Sequence, residues 1–487
     1  MLNRSVQANM EHVDVVIVGA GLSGIGAACQ LSIACPQKSF VILESRDAIG
    51  GTWDLFRYPG VRSDSDMYTL GYRFRPWRDA KAIADGPSIL QYIRDTAAEF
   101  QVDKKIRYGH RVTQASWSSE EAGWTIESQT SNGATQFVCS FVFLCTGYYD
   151  YENGYTPEWP DVEKFGGRIV HPQKWPEDLD YAGKRVLVIG SGATAVTLVP
   201  AIAEKADHVT MLQRSPTYVM TLPSEDRIAN ILRRILPEKT AYAITRWKNV
   251  MLQMFFYILS RKRPETMKRL LAKGVRSELG NDYDLKHFEP PYNPWDQRLC
   301  LVPDSDLFHV IRDGCASIVT AEIETFTETG VRLKDGESID ADIIVTATGL
   351  VLKLMAGMRL IVDDVPVDIS KTIAYKGMMY SDVPNLASAF GYTNASWTLK
   401  CDLTSEYACR LLNYMNENGF AQCTARLTDP SIEREPVLDF TSGYVQRALH
   451  TLPGQGSKTP WRLHQNYVKD LSMLRYGRVD DGTMEFK

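Results

Sequence analysis

The residues of this chain with the most definite chemistry are two glycine clusters, each followed at nearly the same distance by a charged side chain. Gly19, Gly21 and Gly24, in GAGLSG, follow the apolar run Val13 to Val18. At such a site the first glycine permits a tight turn from strand to helix, and the second lets a pyrophosphate approach the backbone. The third lets the helix pack on the strand, and the helix N-terminus faces the phosphates. Glu44 closes the next apolar run, Ser39 to Leu43. A carboxylate there accepts hydrogen bonds from ribose hydroxyls, which suits an adenosine without a 2′-phosphate, as in FAD or NAD. GSGATA, with Gly190, Gly192 and Thr194, repeats the pattern later in the chain, after the run Arg185 to Ile189 and with Ala195 in the third place. Arg214, in Gln213-Arg214-Ser215, stands almost as far past Ala195 as Glu44 stands past Gly24, with the charge reversed. A cation at that spacing suits a 2′-phosphate, so the second cofactor is expected to be NADPH, held in part by Arg214 and Ser215. Two unlike dinucleotide sites in one chain imply hydride transfer from NADPH to a tightly held FAD.

Other residues decide what a reduced flavin does next. A disulfide reductase needs a cysteine pair beside the flavin, and the nine cysteines are scattered, with no C-x-x-C among them. The same scatter argues against a zinc site, and no metal is expected. The other two readings are a monooxygenase, which passes the electrons to molecular oxygen, and a redox sensor that signals by changing shape.

Phe165 to Pro176, FGGRIVHPQKWP, lies just before the second glycine cluster and joins the two dinucleotide units, so geometry imposed there is geometry between two cofactors. It fits F-x-G-x-x-x-H-x-x-x-W-P through Phe165, Gly167, His171, Trp175 and Pro176. Gly50 to Asp64, GGTWDLFRYPGVRSD, fits G-G-x-W-x-x-x-x-Y-P-G-x-x-x-D at every fixed position. Asp342 to Gly349, DIIVTATG, supplies a D-x-x-x-x-A-T-G return. On these motifs the chain resembles the type I Baeyer–Villiger monooxygenases, a group of class B flavoprotein monooxygenases. FRYPGVRSDSDMYTLGYRFRPW, YNPWDQRLCLVP and GYTNASWTLK are the most distinctive stretches shared with mycobacterial members. The related amine- and sulfide-oxidising flavin enzymes have a similar fingerprint without the closing Trp-Pro, so Trp175-Pro176 favours the Baeyer–Villiger group, with N- or S-oxygenation as the alternative.

The resemblance implies conversion of ketones to esters or lactones with NADPH and oxygen, with side activity on sulfides and thioamides. A sensor would need neither the second nucleotide site nor the full fingerprint. Gly51, Thr52 and Trp53 are then expected along the flavin ring. Arg298 is expected beside flavin and nicotinamide, where it stabilises oxyanion charge, with Asp64 orienting it. Many members have Lys before this Arg as a further 2′-phosphate contact; here it is Gln297, which shifts that task to Arg214. His171 is expected to organise the linker rather than to act as a base.

The elements that must position these residues give an α/β chain with two Rossmann-like units. At 487 residues it is long enough for two or three domains. The FAD domain is expected to be discontinuous, residues 1–148 and 350–487, with an NADPH domain at 149–349 inserted and a helical insertion at about 223–290. An amphipathic helix is expected from Ile83 to Phe100, hairpins from Arg107 to Phe143, and a helix opening after GYTNASWTLKCDL. Within the insertion, VMLQMFFYIL is flanked by Arg and Lys and is too short to span a bilayer. It is expected to be buried, with peripheral membrane contact around Met251 to Arg263 as the alternative. A net charge of −5 gives no reason to expect a nucleic-acid partner. The N-terminus lacks the apolar core of a signal peptide, and the unpaired cysteines suit a cytoplasmic setting.

Overall fold

The computed structural model describes residues 10–297, 299–438 and 440–487. Its first sheet is built on the strand Met10–Val18, whose residues from Val15 to Val18 are buried on both faces. That strand runs parallel to Phe40–Leu43 on one side, pairing Val15 with Phe40 through Val18 with Leu43, and to Gly133–Leu144 on the other. A strand covered on both faces needs a crossover to reach its parallel neighbour, and the helix Leu22–Ala34 supplies it.

Gly133–Leu144 does two jobs along its length. Its first part turns back on Gly123–Thr130 through Asn132-Gly133, and its end, from Val142 to Leu144, pairs in parallel with Leu386–Ser388. Arg359–Val362 also joins this sheet, beside Arg111–Ser118. Segments that follow Leu350 therefore complete a sheet begun by the strands up to Leu144. The long helix Trp397–Asn418 closes the same unit, ending at Gly419 in the left-handed conformation, with Asn413 donating to the Ala34 carbonyl at 2.9 Å.

The second sheet has five parallel strands in the order Ala316–Thr320, His208–Gln213, Arg185–Ile189, Ile343–Thr346 and Arg168–Val170. The last of these belongs to the FGGRIVHPQKWP segment. This segment is thus more than a connection: its middle is an edge strand, and Phe165 is buried in the core of the unit it introduces. The two chain crossings between the units lie side by side, Tyr149–Gly154 antiparallel to Leu350–Leu352.

The insertion forms three helices, Arg227–Ile235, Glu238–Lys262 and Pro264–Leu279. The expectation that VMLQMFFYIL is buried holds for one side only: Val250 is buried and Met254, Phe256 and Leu259 pack on apolar clusters, whereas Met251, Leu252, Phe255 and Ile258 are exposed. The face turned inward joins buried Tyr242 and Val250 to polar side chains. Arg246, 5% exposed, donates to the carbonyls of Tyr68 (2.8 Å) and Gly71 (2.7 Å) and pairs with Asp402 at 3.0 Å. Asn249 and Gln253 donate to the Asp66 carboxylate at 2.8 and 3.0 Å. The short helix Met67–Leu70 has too few turns to satisfy its own carbonyls, so the insertion helix brings donors to them. Among the described residues no helix is long and apolar enough to cross a membrane.

Candidate active site

Gly19 adopts φ +104°, and a Cβ there would stand 2.5 Å from the Cys145 carbonyl oxygen. Gly24 packs directly on the Gly19 backbone, where a Cβ would lie 1.8 Å from its carbonyl oxygen. These contacts fix the turn so that Gly21, which carries no capping side chain, heads the helix Leu22–Ala34. The leading N–H groups of a helix have no partner within it, and Gly21, Leu22 and Ser23 line a cavity. Such a cradle fits the pyrophosphate of a dinucleotide. Glu44 is buried, its Oε2 accepting from the Ala20 N–H at 2.7 Å and its Oε1 from the Arg46 N–H at 2.9 Å. Its carboxylate is thereby held at the edge of the same turn, and Glu44, like Gly19, Gly24 and Gly51, lies off the cavity lining.

Gly50, Thr52 and Trp53 continue the cavity wall. Gly51 lies back to back with Gly21, a Cβ on it falling 3.0 Å from the Gly21 Cα, and Arg46 donates to its carbonyl. The Thr52 hydroxyl meets the Tyr149 hydroxyl at 2.7 Å, and the Tyr149 and Tyr151 rings stack at 4.9 Å. Further along, Tyr58, Arg62 and Asp64 line the cavity as a polar cluster. Burial pushes the Tyr58 phenol up to about 12, opposed by the Thr194 hydroxyl.

The second unit repeats the first. Gly190 has φ +135°, and a Cβ there would stand 2.3 Å from the Ala347 carbonyl oxygen, as Gly19 stands against Cys145. Each glycine turn is thus closed by the residue just before a Thr-Gly pair, Cys145 before Thr146-Gly147 and Ala347 before Thr348-Gly349. Gly192 caps the helix Ala193–Ala203, again with no capping side chain. The Ser191 hydroxyl donates to the Ser215 carbonyl at 3.1 Å, tying the turn to the end of the neighbouring strand. Arg214 is exposed at that strand end, near Glu322. Ala193 and Thr197 reach the cavity of the first unit, whereas Gly190, Gly192, Thr194, Arg214, Ser215 and Gln297 lie off its lining. Arg298 lies outside the described residues.

His171 sits at the meeting of the two crossings. Its ring lies on the Gly154 backbone, where a Cβ would fall 1.9 Å from Cε1, and its Nδ1 accepts from the Gln173 N–H at 3.2 Å. Gln173 in turn donates to the Asp150 carbonyl at 2.7 Å. Gly167 is pressed between the Asp342 carbonyl and the Phe165 ring, and Trp175 packs edge-on to Tyr181.

A family profile described as flavin-binding monooxygenase-like matches residues 78–381, and one described as an NAD(P)-binding Rossmann-like domain matches residues 17–81. The chain belongs to the flavin-binding monooxygenase-like family. It is 55% identical over 478 residues to the FAD-containing monooxygenase EthA of Mycobacterium tuberculosis, covering 98% of both chains. To the EthA of Mycolicibacterium smegmatis it is 53% identical over 478 residues, covering 98% of this chain and 97% of that one. In fold it is similar to cyclohexanone monooxygenase with bound ε-caprolactone, at a TM-score of 0.76 and 20% identity over 98% of this chain and 100% of that one. The steroid monooxygenase bound to NADP gives 0.74 and 22%, over 98% and 99%. The expected flavin-monooxygenase family and the two Rossmann-like units are therefore both found.

In this flavin-binding monooxygenase-like chain the cavity also has walls outside the glycine-rich motifs. Tyr148, Tyr392 and Trp397 stand at its middle, Trp397 stacked on Tyr148 at 5.0 Å and donating to the Ser23 hydroxyl at 2.9 Å. Its far end is apolar, with Leu352, Leu438, Phe440 and Val445. Trp397 was legible as part of GYTNASWTLK; the apolar wall from Leu438 onward had no motif to mark it.

Proposed function

We propose that the chain is an FAD-dependent monooxygenase that takes electrons from NADPH, inserts an oxygen atom from O2 into ketones to give esters or lactones, and oxidises sulfides at sulfur. Residues 1–148 and 350–487 would hold FAD, with Gly19, Gly21, Gly24 and Glu44 at its pyrophosphate and ribose and Gly51, Thr52 and Trp53 along its ring. Residues 149–349 would hold NADPH through Gly190, Gly192, Thr194, Arg214 and Ser215. Bound flavin would supply electron transfer to oxygen. The observation that carries this reading is the continuous cavity running from the helix N-terminus at Gly21, past Asp64, to the second unit's Ala193 and into an apolar end. An apolar end admits a ketone or sulfide and excludes water, which strengthens any charge placed on the reacting oxygen.

In this proposal Arg298 is the catalytic cation and Asp64 its positioning residue. Oxygen attack on a carbonyl builds negative charge, and a fixed guanidinium aimed at it in a dry site contributes roughly 3–4 kcal/mol. Hydride transfer has a different charge pattern and depends on that cation less. The test is Arg298→Ala beside Arg298→Lys, with anaerobic NADPH reduction followed by air and a panel of ketones. Both variants should bind FAD and be reduced by NADPH, yet form almost no ester and release hydrogen peroxide. Ester formation at near wild-type rate in Arg298→Ala removes the assignment.

A further inference from the structure

The insertion helix Glu238–Lys262 leaves a line of apolar side chains outside. Its inward face carries Arg246, Asn249 and half-buried Gln253 beside Tyr242 and Val250, while Ile244, Trp247, Met251, Phe255 and Ile258 are 45%, 43%, 53%, 58% and 42% exposed. Successive steps of three or four positions keep these five on one helix face. The preceding helix continues the pattern with Ile228, Ile231 and Ile235, at the same kind of spacing and all more than half exposed. Isolated exposed apolar residues are ordinary, but eight at helical spacing on adjoining helices make a surface that something must cover.

Charge identifies the covering partner. Residues 227–263, the two helices of this surface and Arg263, contain nine Lys and Arg against one Glu and no Asp, of which Arg246 is buried on Asp402 and Lys248 pairs with Asp226. Arg234, Lys239, Lys262 and Arg263, all exposed, stand among the apolar side chains and at the ends of the long helix. A second copy would set this cationic surface against itself or against another part of the chain. A nucleic acid would use the cations and leave the isoleucines and phenylalanine in water. A bilayer with anionic headgroups takes both, apolar side chains entering the acyl boundary and cations meeting phosphate.

We infer that the helices Arg227–Ile235 and Glu238–Lys262 dock this protein on the surface of an anionic lipid bilayer, with the line from Ile244 to Ile258 inserted. The inner edge of the long helix, at Val250, Met254 and Tyr257, shares a cleft with Tyr392 and Ala395, which also line the main cavity. Docking therefore brings the cavity wall to about one helix diameter, roughly 10 Å, from lipid.

The test is co-sedimentation of the full-length, FAD-loaded protein with vesicles of phosphatidylcholine alone and of phosphatidylcholine with phosphatidylglycerol. The expected result is binding to the anionic vesicles at least about tenfold tighter than to neutral ones, weakening as salt rises. Trp247→Ser with Phe255→Ser, and separately Arg234→Glu with Lys239→Glu, should each lower anionic-vesicle affinity about tenfold or more. All four positions are exposed, so thermal midpoint and flavin content should stay at wild-type values. Absence of vesicle binding, or equal binding to both vesicle types, overturns the inference. So does a variant that lowers oligomer size on gel filtration while vesicle binding is absent, which assigns the face to a second copy. Binding to a DNA duplex with no vesicle binding overturns it as well.

Discussion

Arg62 and Asp306 form a two-pronged ion pair across the two dinucleotide units, with Nη2 of Arg62 3.3 Å from Oδ1 and its Nη1 bonded to Oδ2. Arg62 lies in the YPGVRSD segment and lines the cavity, while Asp306 opens the helix Asp306–Arg312 beside the second sheet. The side chains are 14% and 30% exposed, and the fork holds both oxygens, so the pair outweighs an ordinary surface ion pair. Gly60, just before Arg62 in the same segment, reinforces the contact: a Cβ there would stand 2.8 Å from the Thr197 carbonyl oxygen.

Arg62→Ala is therefore expected to loosen one unit against the other without emptying either. Steady-state kinetics should show KM for NADPH rising and coupling of NADPH use to product falling, with stability lower by about 1–2 kcal/mol and FAD content unchanged. Loss of FAD with an unchanged KM would place the effect inside the first unit instead.

His171 gives a pH test of the linker. Burial holds its imidazole below the ordinary value of 6.5, although the backbone of Gly349 and Tyr155 works in the other direction. A histidine with a depressed folded value takes a proton more readily once unfolded. Its contribution to stability is thus present above about pH 6.5 and is lost as pH falls through the folded value. Thermal midpoints at about pH 7.5 and about pH 5.5 should differ less in His171→Gln than in the wild type, because the variant has no proton to gain. An identical drop in both proteins would assign the acid sensitivity to other groups.

How far the fold could be read from sequence depended on how local its causes are. The two strand–glycine–helix turns were legible because a tight turn and a close approach dictate residue type over a few adjacent positions. The burial of the long insertion helix was not. Its orientation is set by carbonyls at Tyr68 and Gly71, far earlier in the chain, which draw Arg246 inward and leave the apolar line outside. Arg168–Val170 gave no strand pattern because it is a short edge, exposed at Arg168 and Ile169 and recognisable only beside Ile343–Thr346. In the site, Gly21, Thr52, Trp53 and Asp64 were marked by motifs, whereas Tyr149 and Tyr151 first read only as part of a domain boundary. The Tyr149–Thr52 contact that makes them a wall is a tertiary one.

Gly190 and Gly192 separate backbone strain from ligand access. At Gly190 the positive φ and the 2.3 Å approach to Ala347 leave no room for a methyl group, so Gly190→Ala should destabilise the protein by about 1–3 kcal/mol. At Gly192 nothing lies within 4 Å of a Cβ. Gly192→Ala should fold with a wild-type thermal midpoint and yet raise KM for NADPH, because the methyl group enters the path of the phosphates. Equal thermal losses in the two variants would mean that both glycines serve the fold alone.

Arg214 tests the choice of the second cofactor. It stands exposed at the end of His208–Gln213, on the strand whose other residues are held in the sheet between Arg185–Ile189 and Ala316–Thr320. The nearby acid, Glu322, is already hydrogen-bonded to Lys334 at 2.6 Å, and that bond does most to hold its carboxyl below the usual range. Arg214 therefore faces solvent at the position to which the proposal assigns a ribose 2′-phosphate, with Gln297 adding no charge to help it. Arg214→Ala should weaken NADPH by ~1.5–3 kcal/mol, the range for hydrogen bonds to charged groups, and change NADH use little. Gln297→Lys should move the preference the other way, raising NADPH affinity over NADH. The measurement is the ratio of kcat/KM for NADPH to that for NADH in each variant. A parallel loss for both nucleotides in Arg214→Ala would show that the residue supports the strand end rather than the phosphate, and the second cofactor would then have to be assigned from other residues.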